Sequence, residues 1–548
     1  MEQAEIPHQR LTQSLAWKKL QSQRKSQANL VLTDLFACDP KRFENFSLKF
    51  ECLLYDFSKH LLTEETLALL IDLAHAANLG GRIDAMFAGD LVNTTECRPA
   101  LHTALRAEAG GTIYVDGQDI MPGISAVKEK MREISGRLRA GLWLGSTGKP
   151  ITTVVNLGVG GSDLGPRMVC EAFKHKASDH VELLFVSSID GNEVVATLRN
   201  LNPETTLFII SSKSFTTTDT MANADTVKSW LRENLGDTRS LANHFIGVSA
   251  NAQKMSDFGI DAANQIPLWD WVGGRYSVWS AVGISIAISL GMHDFEQFLA
   301  GANTADQHFR NTEWRRNIPV VQALIGIWYN NFWQADTQAV LPYDHRLHVL
   351  PAFLQQLEME SNGKSVTLDH KFVDYATAPI IWGEFGPNAQ HAFYQLLHQS
   401  TRFVPIEFIA VADNASVPEK HRELALVNCL AQSRALMFGG SIAEGWDKED
   451  ALIKNYPGNK PSTTILMKEL TPRTLGSLIA CYEHKVFVQS VIWNINPFDQ
   501  WGVELGKKLA GQLRNNGNKC FLTDEVRFDS STHGLLEFAG YHHKQQNK

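Results

Sequence analysis

Between residues 151 and 467 the chain repeats one grammar, a short continuous apolar run rich in β-formers followed by a stretch with helical patterning. Four such runs come first: Thr153–Leu157, Leu183–Val186, Leu207–Ile210 and Phe245–Val248. A second series adds Ile380–Trp382, Phe403–Ala410 and Thr463–Met467, with a long helix expected from Thr471 to about Asn494. Strands that are apolar on both faces and alternate with helices belong in parallel sheets covered on both sides. The expected fold class is therefore α/β: two α/β/α sandwiches with mostly parallel sheets, plus helical additions at both ends. A chain of 548 residues also calls for two to four domains.

The expected divisions are a helical N-terminal segment at 1–110, α/β domains at 111–300 and 301–510, and a C-terminal tail at 511–548. In the first of these, Thr63–Asn78 carries Leu67, Leu70, Ile71 and Ala74 at helical spacing, with Thr63 and Glu65 as start signals and Gly80 as the stop. The segment offers no chemistry. The eighteen residues Tyr276–His293 lack a formal charge and reach membrane-spanning length. Four serines and small residues interrupt them, so the expectation is a helix buried in a large core, without a membrane.

Formal charge is 51 − 59 = −8 and the pI is near 6.2, which argues against a broad nucleic-acid surface but allows a local cationic pocket. Seven scattered cysteines without a C-x-x-C pair give neither zinc spacing nor a disulfide framework. The polar N-terminus has no export core, so the expected compartment is the cytoplasm.

Several segments could carry chemistry. Gly158-Val-Gly160-Gly161-Ser162-Asp163-Leu-Gly165-Pro166 follows the first strand directly. Its backbone N–H groups could approach an anion at a helix start, or the glycines could simply make a tight turn. It fits neither the dinucleotide nor the P-loop fingerprint. Ser212-Lys213-Ser214-Phe215-Thr216-Thr217 sets four hydroxyls and an ammonium at a strand end. Ligands of open α/β sheets collect there, and charge-assisted donors suit a small phosphate. A solvated loop capping a helix is the plain alternative.

Leu350, Phe353, Leu354 and Leu357 mark one helix face, and Asn362-Gly363 its end. Gln356 and Glu360 are four residues apart, so Glu360 is expected on the packed side and Glu358 away from it. A partly desolvated carboxylate there suits a general base, although from these residues alone a helix-end salt bridge is the favoured reading. Gly386-Pro387-Asn388-Ala389-Gln390-His391 places His391 near an expected helix start, as a proton shuttle or a structural histidine. If Asp499–Lys507 is helical, Gln500 and Lys507 share a face, and Gly502 and Gly506 allow a close approach. Gly273-Gly274-Arg275-Tyr276-Ser277 aims an arginine at a developing oxyanion or at a structural carboxylate.

Together these segments closely resemble the phosphoglucose isomerase family. The resemblance rests on GVGGSDLGP (158–166), SKSFTT (212–217), GGRYS (273–277), MESNGK (359–364), QHAFYQ (390–395) and YEHKVFVQ…FDQWGVELGK (482–507), in the family's order. NTTECRPALHTALR (93–106) looks like a variant of a further family segment. The resemblance implies two sheets of the sugar-isomerase (SIS) class. It also implies an isomerase that needs neither metal nor cofactor and interconverts glucose 6-phosphate and fructose 6-phosphate through a cis-enediolate. By the same resemblance Gly161, Ser162, Ser212, Lys213, Ser214, Thr217 and Thr220 would hold the phosphate. Glu360 would move the proton between C2 and C1, and Arg275 would stabilise the enediolate. His391 and Lys507 would assist ring opening, and Gln356 and Gln500 would line the site. A homodimer is implied, with His391 reaching the neighbouring subunit's site.

Two departures from the family pattern bear on this. Ser214 replaces a threonine and keeps the hydroxyl. Pro387 and Ala389 stand in a loop that is commonly G-T-N-G-Q-H, so Ala389 would be strained if that position takes a positive φ. A non-catalytic sugar-phosphate sensor would keep the phosphate loop and lack Glu360, Arg275, His391 and Lys507, all of which are present. Mannose 6-phosphate activity is open at this level, and a metal-dependent hydride shift is disfavoured by the lack of a ligand cluster.

Overall fold

Eleven strands make up the two main sheets. They are β1 Ser47–Phe50, β2 Leu53–Lys59, β3 Thr153–Leu157, β4 Glu182–Val186, β5 Thr206–Ser211 and β6 Phe245–Ser249, then β7 Gln265–Pro267, β8 Thr337–Pro342, β9 Ile380–Gly383, β10 Ile406–Asp413 and β11 Ser462–Glu469. The computed structural model describes residues 11–108, 110–236, 238–441, 448–515 and 529–540. The polar start of the chain and the His542-His543-Lys544 tail lie outside them.

The first sheet runs β4-β3-β5-β6-β7 and is parallel throughout. The second runs β1-β2-β11-β10-β8-β9, and its β11-β10-β8-β9 core is parallel. Counted from its own first parallel strand, each sheet begins in the order 2-1-3-4. In both, the chain reverses direction between the first and third strands, which is where ligands of doubly wound sheets collect.

Both faces of each sheet are buried, as the continuous apolar runs require. On β5, Leu207 and Ile209 face the large shared core, whereas Phe208 and Ile210 face a separate cluster with Val227 and Leu231. On β10, Ile409 and Val411 join the shared core, and Phe408 and Ala410 pack outward with Tyr394 and Leu436. The shared core thus lies between the sheets.

Several expectations need correction. The N-terminal segment is not only helical: β1 and β2 extend the second sheet antiparallel through β11. Buried Leu53, Tyr55 and Phe57 alternate with less buried residues there, the period of a strand. Strands β7 and β8 were not anticipated; β7 is three residues long and ends in Pro267, which suits an edge strand. The Thr63 helix spans Glu64–Ala76 and is capped by the Thr63 hydroxyl as expected. Its stop is Asn78 at φ 55°, because Gly80 already lies inside the next helix, Leu79–Ala88. The stretch is buried from Tyr276 to Leu290 but broken into short turns and the helix Ile284–Leu290, and a separate helix begins at Met292. Among the described residues no helix is long and apolar enough to cross a membrane. Residues 1–498 form one compact unit and residues 499–548 another, so Gln500 and Lys507 belong to the second.

The core's central element is the helix Pro472–Ile492, buried along its length apart from Arg473. Burying polar side chains requires partners, and four consecutive ones find them. Tyr482 donates to Glu407, and Lys485 Nζ lies 2.6 Å from Glu358. Glu483 accepts from Arg106 at 2.5 Å and from Trp279 Nε1 at 2.7 Å. His484 Nε2 is 2.7 Å from Asp306, which Arg106 also grips with two bonds of 2.7 and 2.8 Å. Burial raises the Glu483 carboxyl to about 7, with Arg106 pulling the other way.

Removing Arg106 would leave Asp306 and Glu483 buried without their cation. Arg106→Met is expected to lose about 3–5 kcal/mol of stability, the usual penalty for breaking a buried ion pair from one side. A denaturant midpoint within experimental error of the wild type would show that the network is not a stabilising unit.

Candidate active site

The Gly160–Ser162 turn follows β3, and the helix Leu164–Ala172 follows the turn. Gly160 has φ +56°, and a Cβ there would come within 2.9 Å of Gln356 Nε2. At Gly161 a Cβ would stand 1.9 Å from the Gly274 carbonyl oxygen, so the 160–162 turn and the 273–277 loop can meet only through a glycine. Ser277 Oγ donates to the Gly274 carbonyl of its own loop at 2.6 Å and reaches across the junction to the Gly161 carbonyl at 3.4 Å. Asp163 closes the turn and pairs with Arg167 at 2.8 Å. Burial raises its carboxyl to about 6 against that arginine.

Strand β5 leads into the 212–217 loop and the helix Thr218–Leu235. Phe215 takes φ 52°, costly for an aromatic residue, and is buried against Phe258 with ring centroids 6.0 Å apart. Driving this ring into the core leaves Ser212, Ser214, Thr216 and Thr217 to form a hydroxyl cluster. Ser212 and Thr217 oxygens are 3.1 Å apart, and those of Ser214 and Thr216 are 2.7 Å apart. Thr220, in the first turn of the helix, buries a hydroxyl with no hydrogen-bond partner among the described residues. Lys213 Nζ donates to the carbonyls of Asp270 at 2.7 Å and Val272 at 3.0 Å, tying this loop to the arginine loop. Burial lowers the Lys213 ammonium from its ordinary value, and the neighbouring Arg98 adds to the effect.

The carboxylate comes from the second sheet. After β8 the helix Leu350–Gln355 widens into a π-helical turn, Gln356–Glu360. Such turns recur at functional sites. Gln356 Nε2 donates to Glu360 Oε2 at 2.9 Å, and Arg275 NH1 lies 3.5 Å from the same oxygen. Arg275 is almost wholly buried; its Nε donates to Ser361 Oγ at 2.6 Å and its NH2 to the Pro497 carbonyl at 2.5 Å. Tyr276 OH is 3.0 Å from Ser361 Oγ. Glu360 keeps 23% of its side chain exposed, so its carboxylate faces an opening while its partners stay fixed.

The structure therefore brings together Gly161, Ser162, Lys213, Arg275, Gln356 and Glu360, with Ser212, Ser214, Thr217 and Thr220 on the loop that Lys213 anchors. Glu358 is not turned outward. It continues the Leu350–Leu354 row four residues on, is buried, and pairs with Lys485. Burial raises its carboxyl, and Lys485 opposes the shift. The helix buries more than one side, so the apolar stripe alone was a poor guide. His391 does not open a helix: it caps the carboxyl end of the five-residue Gly386–Gln390 helix, and its side chain is exposed. The positive end of a helix dipole therefore does not act on its imidazole. Ala389 lies inside that helix, buried and without positive φ, so the expected loop strain is absent.

Gln500 and Lys507 do not share one helix. A 3-10 turn at Trp501–Val503 separates Gln500 from the helix Glu504–Asn515. Lys507 is exposed and lies 2.7 Å from Glu504, and among the described residues nothing comes within 4 Å of a Cβ placed at Gly502 or Gly506. Ser361, the group that positions Arg275, was not among the residues expected in the site. Its only signal was its place between Glu360 and the helix stop. Among the described residues no three His, Cys, Asp or Glu side chains are grouped to hold a metal ion.

The family described as phosphoglucose isomerase matches residues 56–536. A glucose-6-phosphate isomerase of Deinococcus deserti is 49% identical over 535 residues, covering 96% of this chain and 98% of that protein. One from Deinococcus radiodurans is 47% identical with the same coverage. The crystal structure of a glucose-6-phosphate isomerase from Chlamydia trachomatis superposes with a TM-score of 0.86 at 31% identity, covering 97% of this chain and 99% of that one.

Because the Gly161–Gly274 junction has no room for a methyl group, Gly161→Ala is expected to cost about 1–3 kcal/mol through overpacking. Gly502→Ala, in open surroundings, should stay within about 0.5 kcal/mol. Equal melting temperatures for the two variants would mean that the loops separate easily.

Proposed function

The chain belongs to the phosphoglucose isomerase family, an aldose–ketose isomerase of glucose 6-phosphate and fructose 6-phosphate, and we propose how its own residues divide that reaction. The observation that carries the assignment is the Gln356–Glu360–Arg275 cluster, joined to both loops of the first sheet by the close approach of Gly161 to Gly274 and by the Lys213 bond to the Val272 carbonyl. The 160–162 turn and the 212–217 hydroxyl cluster bind the phosphate, with the amino end of the Thr218–Leu235 helix behind them. Ser212, Ser214 and Thr217 donate hydroxyls, Gly161 and Ser162 donate backbone N–H groups, and Thr220 satisfies its buried hydroxyl there. Lys213 has three N–H donors and spends two on carbonyls, leaving one for the anion.

In the open-chain sugar, Glu360 removes the proton from C2 of the aldose and returns it to C1. Gln356 fixes the carboxylate so that one oxygen remains presented to the substrate. Arg275, anchored by Ser361 and the Pro497 carbonyl, faces the enediolate oxygens and stabilises the charge as it develops. Because its guanidinium is already held, no reorganisation is needed at the moment of reaction. Ring opening falls to His391, and Lys507 and Gln500 keep the roles that the family resemblance implies for them. His391 is supplied by the second subunit of a homodimer. The six described cysteines are free thiols, which suits work in a reducing cytoplasm.

Conversion of fructose 6-phosphate, read in a coupled assay with EDTA present, tests these roles. Glu360→Gln should lower kcat by about 10²–10⁴-fold with little change in KM. Lys213→Ala should instead raise KM while largely sparing kcat. Near-wild-type turnover of the first variant refutes the base assignment; an unchanged KM of the second removes Lys213 from the phosphate site.

Sharing of His391 makes a separate prediction. Unfolding and refolding an equal mixture of Glu360→Gln and His391→Ala should restore about a quarter of wild-type activity, from hybrids with one intact site. Activity no greater than that of the separate variants places His391 in its own subunit's site.

A further inference from the structure

We propose that Arg98 is a second cation of the phosphate site, acting beside Lys213 through a shared anchor, Asp270. The inference rests on the phosphate reading of the 212–217 loop and adds to it a residue from the N-terminal segment. Lys213 Nζ donates to the Asp270 main-chain carbonyl at 2.7 Å, while Arg98 NH1 stands 3.7 Å from the Asp270 carboxylate. Both cations thus face one residue of the loop that leads to Arg275, Lys213 through its main chain and Arg98 through its side chain.

The position of Arg98 is built. An antiparallel bridge between Asn93 and Arg98 closes the segment. Asn496 pins it with two bonds of 2.9 Å, to Asn93 Oδ1 and Thr95 Oγ1. Leu101 N donates to the Trp271 carbonyl at 3.3 Å, stitching this segment to the 270–272 loop. The guanidinium itself is weakly committed. Its carboxylate partners, Asp270 at 3.7 Å and Glu96 at 3.9 Å, are both beyond hydrogen-bond length, and 36% of its side chain is exposed. Two cations held this close repel each other. The neighbouring Arg98 charge contributes to lowering the Lys213 ammonium, after burial. A phosphate dianion on the 212–217 loop relieves that repulsion and gives the planar guanidinium the partner its fork suits.

The test uses the full chain and two readouts, KM for fructose 6-phosphate and Ki for inorganic phosphate as a competitive inhibitor. Arg98→Gln should raise both by about tenfold and leave kcat within about twofold, the loss of one charged hydrogen bond. Arg98→Lys should recover most of the loss, and the rise of KM with salt should flatten in Arg98→Gln. If Arg98→Gln leaves KM and Ki unchanged while Lys213→Ala raises both, the proposal fails and the phosphate reading stands. A fall confined to kcat also overturns it, since that places Arg98 at another step. If wild-type enzyme is insensitive to inorganic phosphate and Lys213→Ala keeps its KM, the phosphate reading fails and takes the proposal with it.

Discussion

The fold depends on keeping four consecutive polar residues, Tyr482 to Lys485, inside a helix that has almost no exposed side. Successive residues of an α-helix turn by about 100°, so these four point in four directions and each needs a partner on a different neighbour. Glu407 on β10, Arg106 and Asp306, Trp279, and Glu358 supply them. An apolar helix in this position could slide or rotate with little penalty, whereas this one fits a single register. The N-terminal segment, both sheets and the turn that carries Glu360 are referenced to it, because a slip would strand several buried charges at once.

The site inherits its geometry from that register. Glu358 is held by Lys485, and two residues later Glu360 emerges toward solvent. Arg275 arrives from the other side on a loop pressed against Gly161, and Ser361 receives its guanidinium. Lys213, Arg275 and Glu360 stand 62 and 85 residues apart along the chain, yet short contacts join the segments that carry them. Such a site is preorganised by packing, which is how fixed dipoles stabilise charge without rearranging.

Much of this was legible in the sequence. Continuous apolar runs gave the two buried parallel sheets, and the segments after Leu157 and Ile210 fell at the strand ends where ligands bind. The loops are local, so their residue types announce their chemistry. What could not be read was pairing over long separations: nothing near Tyr482–Lys485 says that Arg106 or Glu358 awaits it. Strands β1 and β2 were hidden because an antiparallel edge alternates in polarity and lacks the continuous run that marks a parallel strand. Glu358 was misplaced because the helix is packed on more than one side, and His391 because a proline at a helix start says nothing of how soon the helix ends.

The π-helical turn at Gln356–Glu360 bears on how such a site can change over time. A π turn is in effect an α-helix with one residue too many, and the surplus is accommodated without altering the helix before it. Excising a single residue there would let the ladder relax to regular α geometry and swing everything downstream by about 100°. Glu360 would leave Arg275 while Leu350 and Leu354 kept their places in the core. The register of Glu360 is thus encoded by length as well as by residue type, and the turn should tolerate a change of composition far better than a change of residue count.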